Sequence, residues 1–88
     1  MTTRDERVWL VDRTVTEKPS LINHTYATRD GSRYYLIERS TPTAQETTAA
    51  IEVETHKLSD VDDAEERKAY AEEATRMLER HDPDDIIA

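Results

Sequence analysis

"TYATRDGSRYYLIERS", residues 25–40, carries the strongest local signal in the chain. Asp30-Gly31 separates two runs rich in tyrosine, threonine and large apolar residues, and glycine readily takes the positive φ that a tight reversal needs. The stretch reads as an antiparallel hairpin, with one strand over about 21–29 and the next over about 32–39. Two registers are open. A two-residue turn sets Tyr26 opposite Tyr35 and His24 opposite Ile37; a turn closed by a glycine bulge sets Tyr26 opposite Tyr34 and His24 opposite Leu36. In either case a tyrosine faces Tyr26, a pairing worth about 0.2–1 kcal/mol.

Upstream, residues 8–16 alternate as a strand does, with Trp9, Val11 and Val15 on one parity and Leu10, Asp12 and Thr14 on the other. "TEKPS" (16–20) is a turn, because Pro19 has no N–H for a ladder. Downstream, "STPTAQETTAA" (40–50) fits a long loop or a short helix capped by Thr41 with Pro42 first inside. "AIEVETH" (50–56) sets Ile51, Val53 and Thr55 against Glu52, Glu54 and His56, which reads as a fourth strand. Ala44, Thr48, Ile51, Thr55 and Leu58 also keep helical spacing, but two β-branched apolar residues favour the strand.

The last element is a helix over about 62–81, free of Gly and Pro. Tyr70, Ala71, Ala74, Met77 and Leu78 form its apolar stripe, opposite Glu65, Glu66, Glu72, Glu73 and Glu79. Asp62 is a candidate cap with Glu65 as its reciprocal partner. Glu72 and Arg76 are spaced for an ion pair, and His81 suits the negative end of the helix dipole. Pro83 stops the helix. Such a stripe needs a sheet to cover, so the expected fold is α+β: an antiparallel sheet of three to four strands packed against one C-terminal amphipathic helix. Residues 1–88 form a single domain, with 1–7 and 82–88 expected to be flexible.

Composition narrows the function. The chain of 88 residues has no cysteine, one glycine and no phenylalanine. Thiolate metal sites and disulfides are therefore ruled out, and neither a Walker loop nor a dinucleotide fingerprint can be built from one glycine. The core must be thin, so a monomer is marginal and self-association is the expected remedy. Residues 1–48 balance seven basic against seven acidic side chains, and the whole net charge of −8 falls in 49–88. Acid excess, nine Arg against three Lys, and twelve Thr fit a cytoplasm of very high salt, where screening relieves self-repulsion. Acids precede any apolar run at the N-terminus, and no apolar stretch reaches spanning length, so a cytoplasmic chain without membrane contact is expected. The Asn23-His24-Thr25 sequon is then a chance match.

Arginines beside tyrosines on a strand can hold single-stranded nucleic acid, which makes Tyr26, Arg33, Tyr34, Tyr35 and Arg39 a candidate interaction surface. The acidic balance removes the long-range attraction to phosphate, so nucleic acid is not the expected partner. Arg67 and His81, at the two ends of the helix stripe, complete the candidate surface as anchors for a protein partner. His24, His56 and Asp12 could meet as a metal trio, and Ser40, His24 and Asp12 as a nucleophile triad; neither has the spacing of a motif. Asp60, Asp62 and Glu66 fail as a calcium loop, since Glu65 stands where that loop requires glycine. The reading is a small acidic, non-catalytic interaction or structural protein, homodimeric and without cofactor. Single-stranded nucleic acid or a small ligand on an open sheet face is the alternative.

Overall fold

The computed structural model describes residues 4–15, 21–40 and 47–87. They form an antiparallel sheet and one helix, as the α+β reading requires. The strands are β1 (Asp5–Val15), β2 (Leu21–Ala27), β3 (Arg33–Ser40), β4 (Ala50–Glu54) and a two-residue β5 (Ser59–Asp60), followed by helix α1 (Ala64–Arg80). Sheet order is β4-β1-β2-β3-β5. The hairpin takes the first of the two registers, with Tyr26 opposite Tyr35 and His24 opposite Ile37.

The Asp30-Gly31 reversal is fixed from both sides. The Asp30 carboxylate accepts hydrogen bonds from Thr28 Oγ1 (2.7 Å), Ser32 N (3.0 Å) and Ser32 Oγ (2.7 Å). Those donors hold its pKa down at about 2. Gly31 has φ of +73° and lies flush against the helix: a Cβ there would stand 2.1 Å from the Arg67 carbonyl oxygen and 2.8 Å from Ala71 N. Glycine is needed twice at this position, for its backbone and for its size.

β1 departs from simple alternation. Leu10 faces Tyr26 and Asp12 faces Thr25, which leaves Val11 as an extra residue in a β-bulge. The bulge inverts parity, so Leu10 and Asp12, expected on one face, lie on opposite faces. Before it, Trp9 joins Ala49, Ala50 and Ala74 under the helix, while Val8, Leu10, Tyr26 and Val53 form a second buried cluster on the other face.

Met77 of the helix and Ile87 pack against that second cluster from one side, and Val8 and Tyr26 within it are wholly buried. The sheet covers them by rolling. Flat, four strand spacings of about 4.8 Å would separate β4 from β5 by about 19 Å. Five residue steps join Glu54 to Ser59, and the first part of that link is a 3₁₀ turn, Thr55–Lys57, so its reach is roughly 13 Å. The two ends of the sheet must therefore approach each other. Tyr35 and Ile37 from β3, Ile51 from β4 and Leu58 from the link all pack on the same cluster.

Helix α1 lies across β1 and β2. Its expected stripe is the one that turns inward, with Ala74 buried and Tyr70, Ala71, Met77 and Leu78 half-buried. Details at its ends differ from expectation. Asp63, not Asp62, is the cap, accepting from Glu66 N at 3.2 Å. Arg76 pairs with Glu73, one turn away, rather than with Glu72. The flexible ends expected at 1–7 and 82–88 are placed in part: Asp5–Arg7 belong to β1, and Ala50 N, Ala49 N and Ile87 N bond to Pro83 O, Asp85 O and Thr47 O. The capped helix and loop proposed around Thr41 and Pro42 lie outside the described residues, as do 1–3, the whole "TEKPS" turn and Ala88.

Candidate interaction cleft

Where the rolled sheet fails to close, β3 and β4 flank a cleft of about 350 Å³. Its floor is Tyr35, Ile37, Ile51 and Val53, and its rim is Asp5, Glu52, Glu54 and Lys57. Register explains this division. In β3 the odd residues 33–39 pair with β2, since Thr28 N donates to Arg33 O, and their side chains point inward. The N–H and C=O groups of Leu36 and Glu38 therefore point away from β2, along the outer edge. β5 covers that edge only at Arg33 and Tyr34. Among the described residues no strand pairs with it beyond Tyr34. In β4 the same reasoning, from Leu10 N to Ala49 O and Thr55 N to Arg4 O, turns Glu52 and Glu54 outward. Among the described residues, the edge of β3 beyond Tyr34 and the edge of β4 at Glu52 and Glu54 thus stand open on either side of an apolar floor.

The residues singled out from sequence are not gathered here. Tyr26, Arg33, Tyr35 and Arg39 share the inner face and Tyr34 lies on the other. Tyr26 is fully buried, and its hydroxyl accepts from Arg39 Nη1 at 2.7 Å while the guanidinium stands over its ring at 5.6 Å. Arg33 is tied to Glu6 at 2.9 Å. Arg67 Nε donates to the Val61 carbonyl and latches the start of the helix. His81 closes the helix through its backbone N–H to Met77 O, with its ring 3.7 Å from the Asp85 carboxylate. Of the seven, only Tyr35 lines the cleft. Ile37, Ile51, Val53, Glu52 and Glu54 were visible only as alternation in "YLIER" and "AIEVE"; nothing local in the sequence brings those two runs together.

At the closed end of the inner face lies a buried polar cluster. Arg39 Nη1 also donates to Thr47 Oγ1 at 3.1 Å, and Thr47 Oγ1 is 3.4 Å from His24 Nε2. His24 is fully buried, and its Nδ1 has no partner of hydrogen-bond geometry. Burial, then the charges of Arg39 and Arg13, lower its pKa, against a smaller opposing effect of the Ile22 carbonyl. The metal trio and the nucleophile triad both fail on geometry. Asp12 and Ser40 lie on the face opposite His24, and His56 is exposed beside Glu54 at 3.2 Å. Among the described residues no three histidine or acidic side chains gather closely enough to hold a metal ion. No described helix is long and apolar enough to cross a membrane.

Fold and cleft together define a small α+β domain, a partly closed antiparallel roll braced by one helix. Over residues 2–87 the chain matches a family of unknown function, DUF7967, and it belongs to that family. No curated protein matches the chain. No solved structure matches it either.

Proposed function

We propose that the chain is a small acidic, non-catalytic interaction protein of a high-salt cytoplasm, working as a homodimer or as an accessory to a larger partner. The observation that carries this reading is the unclosed roll: among the described residues, backbone edges of β3 and β4 stand open beside a floor of Tyr35, Ile37, Ile51 and Val53. Leu36 and Ile86 add exposed apolar side chains, at 54% and 63%, that a second chain would cover. The net charge of −8 supports the high-salt setting, because self-repulsion within and between copies falls as salt screens it.

Sedimentation at several protein concentrations, in about 0.1 M and about 2 M KCl, tests the reading. The expected result is reversible association that strengthens with salt, together with a higher melting temperature. A compact monomer of unchanged stability in all conditions would overturn both the homodimer and the salt adaptation. Nucleic-acid binding through tyrosines finds little support, since Tyr26 is buried and Tyr34 and Tyr35 turn to opposite faces. Titration with single-stranded oligonucleotide should show no steeply salt-dependent binding.

A further inference from the structure

We propose that the cleft receives an extended segment of another protein, added to the free edge of β3 as a strand, with apolar side chains turned inward and basic ones outward. This rests on the interaction reading above and names the surface and the chemistry of the partner. The backbone groups of Leu36 and Glu38 supply the ladder. Strand addition of this kind takes affinity from main-chain hydrogen bonds and specificity from alternate side chains.

Alternation fixes what those side chains must be. Residues of the added strand that point inward meet Tyr35, Ile37, Ile51 and Val53. Residues that point outward lie between Glu38 on one wall and Glu52 and Glu54 on the other, with Asp5 opposite Glu54. Arg7 engages Glu52 at 3.2 Å, and Lys57 is the cleft's own cation, which leaves the rim acidic overall. An apolar–basic alternation is the sequence that satisfies both layers.

The roll selects an extended segment over a second copy. Tyr35 and Ile37 of β3 line one cleft of about 350 Å³ with Ile51 and Val53 of β4, so β4 bounds the space beyond the β3 edge. A second copy pairing there would carry its own rolled sheet into β4 and bring a further charge of −8 to an acidic rim.

The test uses the full-length ¹⁵N-labelled chain and two acetylated hexapeptides, one alternating valine with lysine and one alternating valine with glutamate. The lysine peptide should give saturable shifts at Leu36, Glu38 and 51–54, with binding at least about tenfold tighter than the glutamate peptide. Leu36→Pro removes an outward N–H without touching the β2 ladder, and should weaken binding about fivefold. The Glu52→Lys/Glu54→Lys variant leaves the backbone edge intact and should erase the preference for lysine. Absence of saturable shifts at these residues, or shifts confined to Glu65, Glu66 and Glu72 on the helix, would overturn the proposal. Concentration-dependent shifts at Leu36 and Glu38 without peptide would overturn it too, because a second copy would then be the occupant. Sedimentation of the chain alone reports separately on self-association, so the two readings fail independently.

Discussion

Replacing Gly31 by alanine attacks the point where sheet and helix are closest. Two costs follow from the structure. Alanine in the left-handed region loses roughly 1 kcal/mol against glycine. Its Cβ would also sit 2.1 Å from the Arg67 carbonyl oxygen and 2.8 Å from Ala71 N, both of them backbone atoms that move only with the helix. Overpacking of that sort costs about 1–3 kcal/mol. The sum is about 3 kcal/mol, a large share of the roughly 4–13 kcal/mol open to a domain of 88 residues. Urea unfolding reads it directly: with m of about 1 kcal/mol/M, the midpoint should fall by about 2–3 M. Gly31→Asn separates the two costs, since asparagine accepts the left-handed conformation but still carries a Cβ. The docked helix requires Asn to be nearly as damaging as Ala. If Asn restores wild-type stability, or if Ala shifts the midpoint by less than about 0.5 M, the helix does not rest on this turn.

Other outcomes follow from polar groups that the fold engages. His24 has a folded pKa below its ordinary 6.5, so the unfolded chain binds its proton first as pH falls. Stability should therefore drop below pH 6.5, by up to about 1.4 kcal/mol per unit, until the folded pKa is reached. A His24 resonance that titrates at or above 6.5 in the native protein would refute this. Asp30, held at about 2, contributes stability that is complete above its ordinary 3.8 and vanishes as pH falls through 2. Because the residue is exposed, Asp30→Ala should cost only about 1 kcal/mol at pH 7, measured by urea midpoint. Arg33→Ala should cost about 1–2 kcal/mol, since it strands the half-buried Glu6 carboxylate at the inner face. A thermal melt unchanged by that substitution would show the pair to be idle.

The elements that were legible in the sequence were those governed by local rules. The Asp30-Gly31 hairpin, the Tyr70–Leu78 stripe and the alternation of 50–54 all rest on contacts between near neighbours in the chain. What was not legible depends on long-range geometry. A bulge at Val11 changes parity without any glycine or proline to mark it, so plain alternation sets Leu10 and Asp12 on one face. The alternation of 50–56 carries the strand through Thr55 and His56, where the chain instead turns in a 3₁₀ link, and it gives no sign of the roll that sets Ile51 beside Tyr35. The tyrosines and arginines of β3 looked like a reader of polyanions because their composition is shared with such surfaces. In three dimensions Arg39 is spent on Tyr26 and Thr47, and Arg33 on Glu6.

The open edge of β3 underlies both functional readings, and residue-resolved amide exchange on the dilute protein tests it most directly. Tyr35 and Ile37, bonded into β2, should exchange slowly, while Leu36 and Glu38 between them should exchange at rates close to those of solvent-exposed amides. Equal protection of all four in a dilute monomer would mean that this edge is already covered, and the cleft would then offer a partner no strand to pair with.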